Sequence, residues 1–266
     1  MTAETYGFFD SGVGGLTVLR SFQRIRGDID FVYFGDTEHC PYGDRPLSEV
    51  REFAMRAVSF LKQQGCDKIV MACNISSSVA LEPARSRFPS LEIEGLINDR
   101  MAQFVRDQSD NGIIGVLATQ GTVDSGRYKE ALETSDVRVV QQACSPLVPL
   151  VETGQCSGDL VQSTLEPLTA PLIKENVDTV VLGCTHYPFL AEAIANQFSD
   201  HVTIVDPGRI LARTNHEDIS VSNGSENRAE FFVSGESDSM RTMLDRMYHR
   251  DVPEIQVLEP SEVPEA

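Results

Sequence analysis

Short apolar runs rich in β-branched and aromatic residues alternate with longer amphipathic stretches along this chain. Runs with strand character lie at residues 6–9, 31–34, 68–72, 91–95, 113–117, 137–140, 179–182 and 202–205. Helical patterns lie between them at 16–26, 47–64, 80–87, 125–133 and 162–176, the last with Pro167 and Pro171 as points where a helix can bend. Continuous apolar strands alternating with helices are typical of parallel sheets covered on both faces. The sequence therefore predicts an α/β protein with mostly parallel sheets.

The two halves of the chain repeat one layout. Residues 6–12 and 115–121 both read as an apolar strand followed by small polar residues that open a helix. Further along each half, Cys73 and Cys184 stand at the turn after another apolar strand. Ligands of open parallel sheets bind at the carboxyl ends of the strands, where all four segments would present residues. The repeat predicts two similar domains that face each other.

The C-terminal part has a different pattern. Residues 216–240 are polar and acidic, with Gly and Ser, and predict a loop-rich connection. A helical pattern follows at 239–249, and residues 255–258 predict one last strand. The residues beyond it are expected to form a frayed tail.

Composition argues against several classes of protein. The formal net charge of −18 opposes binding to a phosphate backbone, which requires a basic surface. No apolar stretch approaches the roughly 20 residues that cross a bilayer, and the first residues lack the basic start and apolar core of a signal peptide. We therefore expect a cytoplasmic protein with neither a nucleic-acid nor a membrane partner.

The chain has six cysteines, and no two of them are spaced as C-x-x-C, so a zinc ribbon or a thioredoxin-type pair has little support. Each cysteine taken alone is most simply a small buried hydrophobe. Cys73 and Cys184, however, both follow an apolar strand and precede a predicted helix start, where the helix dipole lowers a thiol pKa. Asn74 follows the first thiol, and His186 lies two residues after the second. These two cysteines are the candidate reactive thiols.

A glycine-rich turn, DSGVGG at 10–15, follows the first predicted strand. It lacks both the G-x-G-x-x-G spacing and the G-K-[ST] of nucleotide-binding loops, and an acidic Asp10 at the strand end would repel phosphate. We expect its glycines to let backbone amides approach a small carboxylate. A second turn at 35–43, with Asp36, His39, Tyr42 and Gly43, is either a plain loop or part of the same site.

These segments together resemble glutamate racemase, a bacterial enzyme of the aspartate/glutamate racemase superfamily. The resemblance is carried by FFDSGVGGLTVL, YFGD followed by CPYG, ACN at 72–74, SGRYKEAL at 125–132, QACSPLVPLVETG at 142–154, GCTHYP at 183–188, FFVSG at 231–235 and the terminal EIQVLEP. It covers essentially the whole chain. It implies two pseudo-symmetric flavodoxin-like domains, 1–97 plus 208–266 and 98–207, with the active site in the cleft between them.

The resemblance also implies roles for individual residues. Cys73 would deprotonate one enantiomer and Cys184 the other, with Asp10 and His186 poising the thiols. The substrate would be held at Asp10, Ser11, Tyr42, Gly43, Asn74, Ile75, Thr185 and His186, and further helpers would be Asp36, Glu152, Ser76 and Thr119. Removing a proton from one face and returning it to the other requires two acid/base groups, so no cofactor is expected. Metal-ligand spacing is missing, and so is a lysine placed for pyridoxal phosphate.

One position departs from the family pattern. Glutamate racemases usually read Cys-Asn-Thr, whereas this chain reads Cys73-Asn74-Ile75. Either Ser76 compensates for the missing hydroxyl, the substrate differs, or the activity is impaired. The leading hypothesis is a glutamate racemase that supplies D-glutamate for peptidoglycan; alternatives are a racemase of aspartate or another amino acid, a non-catalytic ligand-binding protein, and a thiol-redox protein. The oligomeric state stays open, with a homodimer as one candidate.

Overall fold

The computed structural model describes residues 4–26, 29–214, 228–248 and 254–265. Residues 216–227 of the polar connection predicted at 216–240, and His249, the final residue of the predicted helix, lie outside these ranges. The ten strands are β1 (Thr5–Asp10), β2 (Asp30–Gly35), β3 (Lys68–Met71), β4 (Glu92–Gly95), β5 (Ile113–Ala118), β6 (Arg138–Ala143), β7 (Thr179–Gly183), β8 (Thr203–Val205), β9 (Ala229–Val233) and β10 (Ile255–Val257). The α-helices are α1 (Leu16–Arg26), α2 (Leu47–Gln63), α3 (Asn74–Arg87), α4 (Asp99–Asp107), α5 (Gln120–Asp124), α6 (Arg127–Leu132), α7 (Leu147–Glu152), α8 (Asp159–Lys174), α9 (Ala191–Ala195), α10 (Pro207–Thr214) and α11 (Asp238–Tyr248).

The strands form two sheets of related topology. The first has the order β10-β9-β2-β1-β3-β4, and the second has the order β6-β5-β7-β8. The order β2-β1-β3-β4 in the first sheet therefore corresponds to β6-β5-β7-β8 in the second. Neighbouring strands are parallel throughout the described chain. The predicted α/β class, the parallel sheets and the pseudo-symmetric arrangement are confirmed.

Burial on both faces explains why the central strands read as unbroken apolar runs. After its first residue, β1 is buried at every position, and β7 is buried along its whole length. Phe8 packs edge-on against Phe22 of α1, with the ring centroids 5.1 Å apart. Phe31 of β2 makes a similar contact with Phe231 of β9 at 5.3 Å. The first contact holds α1 against one face of the first sheet, and the second joins two neighbouring strands of that sheet.

The structure corrects the prediction for the C-terminal part. Residues 229–233, predicted to lie in a loop-rich connection, form β9, which pairs with β2 in register from Phe31↔Ala229 to Gly35↔Val233. The apolar run in this segment is short, and acidic residues lie on both sides of it. The local composition therefore predicted a loop. Pairing with β2 on one side and β10 on the other outweighs that local signal.

Several helix boundaries also differ. The helix predicted at 80–87 begins at Asn74, because Cys73 occupies the N-cap position with extended backbone angles. The helix predicted at 125–133 begins at Arg127 and is separated from the preceding α5 by Gly126, which has a positive φ of 69°. The helix predicted at 162–176 begins at Asp159 and continues through both prolines to Lys174. Helices α4, α5, α7, α9 and α10 lie outside the predicted helical ranges. Among the described residues, no helix has the length and apolar character to span a membrane.

Candidate active site

A narrow cavity lies where the carboxyl ends of β1 and β3 in the first sheet face those of β5 and β7 in the second. Its volume is about 20 Å³, close to the space that one water molecule needs, so its walls nearly meet. Its walls are formed by Ser11, Pro41, Tyr42, Gly43, Cys73, Asn74, Ile75, Thr119, Thr122, Val148, Gly183, Cys184, Thr185 and His186. Two segments that are far apart in sequence, each with a cysteine, thus share one small space.

Cys73 caps the N-terminus of α3. Its side chain is buried, and its Sγ lies 4.0 Å from the Ser11 hydroxyl, the acceptor for the thiol proton. Burial raises the pKa of Cys73 to about 12, and the negative charge of Asp10 adds to the effect. The hydroxyl and the backbone N–H of Ser76 act in the opposite direction. The protonated form of this thiol is therefore favoured.

Cys184 follows β7 and lies beside a buried histidine. The Sγ is 3.7 Å from Nδ1 of His186, whose Nε2 lies 2.6 Å from Oε1 of Glu152 at the end of α7. Burial disfavours the imidazolium, but the contacts with Cys184 and Glu152 outweigh it and raise the pKa of His186 well above its ordinary value. Burial likewise opposes the charge of Glu152, yet its hydrogen bond with His186 lowers the pKa of that carboxyl. The second thiol thus faces a buried ion pair.

Asp10 lies behind the cavity rather than in its wall. Its carboxylate is fully buried, accepts a hydrogen bond from the Gly12 N–H at 3.0 Å and one from the Thr185 hydroxyl at 3.1 Å, and burial raises its pKa. Amides of the glycine-rich turn, those of Gly12 and Gly15, thus bind the carboxylate of Asp10. Gly14 has a further role, because a Cβ there would lie 2.6 Å from Nδ1 of His186. The missing side chain lets β1 and β7 meet across the cavity.

Asp36 organises the turn that carries Tyr42 and Gly43. Its carboxylate accepts a short hydrogen bond from the Tyr42 hydroxyl and another, at 2.5 Å, from the Ser234 hydroxyl that follows β9. Nδ1 of His39 lies 2.9 Å from the same carboxylate. Asp36 lies outside the cavity, so it holds Tyr42 in place from behind. The turn at 35–43 is therefore part of the site and not a plain surface loop.

The wall beside Cys73 is built from both sheets. The Tyr128 hydroxyl donates to the Asn74 side chain at 2.6 Å, which fixes that amide across the cavity. Ile75 also reaches across, since a Cβ on Gly121 would collide with its terminal methyl group. A Cβ on Gly43 would lie 2.7 Å from that of Thr119. The predicted contact positions are therefore brought together, and Ile75 faces the cavity in the place of a polar side chain.

A family model described as Asp/Glu/Hydantoin racemase matches residues 23–214. The chain belongs to this racemase family. A glutamate racemase from Desulforudis audaxviator is 38% identical to it over 264 residues, with 94% of this chain and 96% of the relative covered. The resemblance to glutamate racemase stated from the sequence motifs is confirmed, and the chain is an amino-acid racemase, an isomerase.

Solved structures of the racemase family superpose on nearly the whole molecule. A glutamate racemase isoform from Bacillus anthracis matches with a TM-score of 0.87 and 30% identity over 97% of this chain and 98% of its own. The Escherichia coli glutamate racemase, in complex with L-glutamate and the activator UDP-MurNAc-Ala, matches with a TM-score of 0.79 and 27% identity over 97% and 98% of the two chains. The two-sheet architecture is therefore that of the racemase family.

Sequence reasoning missed some residues around the racemase cavity. Thr122 and Val148 lie in its wall, and the Thr122 hydroxyl is 3.1 Å from that of Thr119. Tyr128 and Ser239 lie behind the wall, where Ser239 of α11 hydrogen-bonds Glu152. Tyr128 stands within the SGRYKEAL motif, which could have indicated it. Ser239 carries no local signal, since only the tertiary fold brings α11 to α7.

Proposed function

We propose that this racemase interconverts L- and D-glutamate without a cofactor, using Cys73 and Cys184 as its two acid/base groups. The observation that carries the proposal is the placement of two thiols in one small cavity, each after an equivalent strand of a repeated fold. We further propose that the cavity lies between domains formed by 1–97 plus 208–266 and by 98–207. Its product, D-glutamate, would serve peptidoglycan synthesis.

The reaction needs one thiolate and one thiol at a time. The thiolate removes the α-proton of the bound amino acid, and the thiol on the other face donates its proton to the resulting carbanion. The two cysteines have then exchanged protonation states, so the same pair can run the reverse reaction. Cys73 is the base for one enantiomer and Cys184 is the base for the other.

The surroundings of each thiol indicate how the thiolate forms. The raised pKa of Cys73 disfavours its thiolate. The ammonium group of a bound amino acid brings a positive charge close to the sulfur and favours the thiolate. On the other side, the imidazolium of His186, held by Glu152, lies close enough to stabilise the thiolate of Cys184. Asp10 supports both sides, because it orders the glycine-rich turn and binds Thr185.

Polar groups of the wall can bind the remaining parts of glutamate. Ser11, Asn74 and Thr185 present hydroxyl and amide groups, and Gly43 offers close approach to its backbone. The L-glutamate complex of the Escherichia coli relative supports a substrate of this size and charge. Tyr42, held from behind by Asp36, closes the same side of the cavity.

One observation favours a second candidate substrate. Ile75 places a hydrocarbon in the wall, where the family pattern has a threonine hydroxyl. A pocket that lacks one donor binds a less polar side chain comparatively better, because no carboxylate oxygen is then left unpaired. Amino acids with uncharged side chains therefore belong in the substrate test, with aspartate, whose carboxylate is one methylene closer to the α-carbon, beside them.

The deciding experiment follows each amino-acid enantiomer by proton NMR in heavy water, with protein dialysed exhaustively against a chelator and checked for pyridoxal absorbance. We expect loss of the α-proton signal of L- and D-glutamate together with inversion measured on a chiral column. Activity that is lost on dialysis and restored by a metal or by pyridoxal phosphate would contradict the cofactor-independent mechanism. Turnover of another amino acid in place of glutamate would contradict the proposed substrate.

A further inference from the structure

Three consecutive serines lie in the first turns of α3, and only one of them lacks a partner. The Ser77 hydroxyl donates to the Met71 carbonyl at 2.8 Å, and the Ser78 hydroxyl donates to the Asn74 carbonyl at 2.9 Å. The Ser76 hydroxyl is fully buried and has no hydrogen-bond partner among the described residues. Buried hydroxyls are nearly always paired, so this one requires an explanation.

Helix geometry directs Ser76 toward the reactive thiol. Cys73 is the N-cap of α3, so Ser76 occupies the third helical position. In a capping box the N-cap side chain accepts a hydrogen bond from the backbone N–H of the third helical residue, and the side chain of that third residue turns back toward the N-cap residue. Cys73 makes no side-chain capping hydrogen bond in the structure, yet the backbone N–H and the hydroxyl of Ser76 both lower the pKa of its thiol and so favour the thiolate.

The other groups around this sulfur mostly disfavour a negative charge. Asp10 of β1 and Cys184 after β7 raise the pKa of Cys73. In turn, a charge on Cys73 raises the pKa of three neighbours: Tyr33, Cys40 and Tyr42. The Ser11 hydroxyl accepts the proton of the neutral thiol. The Ser76 hydroxyl, which has no partner while the thiol is neutral, can donate to the sulfur when the thiol is ionised. It would then stabilise the thiolate against these unfavourable charges.

We propose that Ser76 is a catalytic residue of this racemase, whose buried hydroxyl donates a hydrogen bond to the thiolate of Cys73. It supplies a hydroxyl one residue after Ile75, the position from which the family's usual threonine hydroxyl is missing. The proposal rests on Cys73 being an acid/base group. Because the hydroxyl acts on the sulfur directly, its effect is measurable without any amino acid present.

The test compares Ser76→Ala with the matched control Ser78→Ala, which removes a hydroxyl from the same helix that is bonded to a backbone carbonyl. Each folded protein is treated with iodoacetamide at fixed pH between 7 and 9, and alkylation of Cys73 is followed by peptide mass spectrometry. Loss of a donor that shifts the thiol pKa by about one unit lowers the thiolate fraction tenfold. A more basic thiolate is also more nucleophilic, and this offsets part of the decrease. The rate of alkylation therefore falls roughly three- to fourfold.

We expect this decrease at Cys73 in Ser76→Ala, with the rate at Cys184 unchanged and the rates in Ser78→Ala equal to wild type. An unchanged or faster rate at Cys73 in Ser76→Ala, or an equal decrease in both variants, would overturn the proposal. The racemase assay is separate. If wild type fails to act on glutamate while the alkylation rates behave as expected, the proposed substrate is wrong and the role of Ser76 toward Cys73 stands.

Discussion

The two thiols occupy equivalent places in a repeated fold, yet their surroundings are different. Cys73 is the N-cap of a helix of 14 residues and is surrounded by hydroxyls, with the buried Asp10 close by. Cys184 is followed by a short 3-10 turn, Tyr187–Leu190, and lies beside the His186–Glu152 pair. The thiolate of Cys73 must be stabilised by dipoles and neutral donors, whereas the positively charged imidazolium of His186 lies beside Cys184.

The backbone fold determines where each thiol lies, and the neighbouring side chains determine how it ionises. The shared strand order brings each cysteine to the same cavity, so position comes from the repeat. The means of ionising the thiol comes from residues that the repeat does not duplicate. The two halves can therefore be weakened independently, and variants on one side should leave the other side's chemistry in place.

The largest effect is expected from removing either thiol. Cys73→Ala and Cys184→Ala each delete the acid/base group for one face, so racemisation should fall by about 10²–10⁴-fold or more. In heavy water, each variant should still exchange the α-proton of the one enantiomer that faces the remaining thiol, with retention of configuration. Proton NMR of the separate enantiomers measures both effects.

Cys66→Ala is the matched control, since Cys66 is a buried free cysteine that does not line the cavity. It should keep wild-type turnover. Normal racemisation by a folded Cys73→Ala or Cys184→Ala protein would end the two-base mechanism. A covalent adduct of the amino acid with either cysteine, visible by mass spectrometry, would point instead to a nucleophilic role.

The next effect should come from the ion pair on the Cys184 side. Glu152→Gln removes the charge that holds the His186 imidazolium, and we expect kcat/KM to fall roughly ten- to hundredfold, as for loss of a hydrogen bond to a charged group. The two enantiomers are equally stable, so kcat/KM must fall equally in both directions. The asymmetry appears in the isotope effect on α-deuterated substrate, which should grow for the enantiomer that Cys184 deprotonates.

Glu192→Gln, at an exposed position on α9, is the control for the loss of one negative charge. It should leave kcat/KM and both isotope effects unchanged. If Glu152→Gln raises the two isotope effects equally, the pair serves both thiols and the proposed division between the two sides is wrong.

The same pair should make stability depend on pH. The pKa of His186 is raised on folding and that of Glu152 is lowered, so their contribution is complete between the ordinary values of 4.5 and 6.5. It is lost as the pH rises through the raised pKa of His186 and as it falls through the lowered pKa of Glu152. Breaking a largely buried pair costs at most about 3–5 kcal/mol.

Urea unfolding of wild type and His186→Asn at several pH values measures this contribution. The difference in the free energy of unfolding should be largest near pH 5.5 and should shrink toward alkaline pH. A difference that stays constant between pH 5.5 and 10 would show that His186 is not protonated in the folded protein. For a Ser11→Ala variant, on the Cys73 side, we expect no such change with pH in the difference in the free energy of unfolding.

The sequence predicted the repeated framework and the residues that face the cavity, because both have local signatures. Strands buried on both faces are continuous apolar runs, and Cys73 and Cys184 stand at strand ends within distinctive motifs. What it missed depends on contacts between distant segments. Strand β9 exists through pairing with β2, and Ser239 reaches Glu152 only because α11 packs near α7. The sequence likewise did not indicate that the Gly12 amide of the glycine-rich turn binds the carboxylate of Asp10.

The smallest effect is expected at Ile75, where the chain departs from the pattern of its family. Ile75→Thr places a hydroxyl in the cavity wall, and one new hydrogen bond should improve glutamate binding about two- to tenfold, chiefly as a lower KM. Ile75→Val is the control, because valine has the shape of threonine without the hydroxyl and shows what the shortened side chain does alone. The methyl group of Ile75 that lies against Gly121 is lost in both variants.

A lower KM in both variants would assign the effect to the wider cavity, and no change in either would mean that the side chain of Ile75 does not contact the substrate. If wild type instead prefers a less polar amino acid and Ile75→Thr weakens that activity while Ile75→Val does not, Ile75 sets the specificity of the Cys73 side.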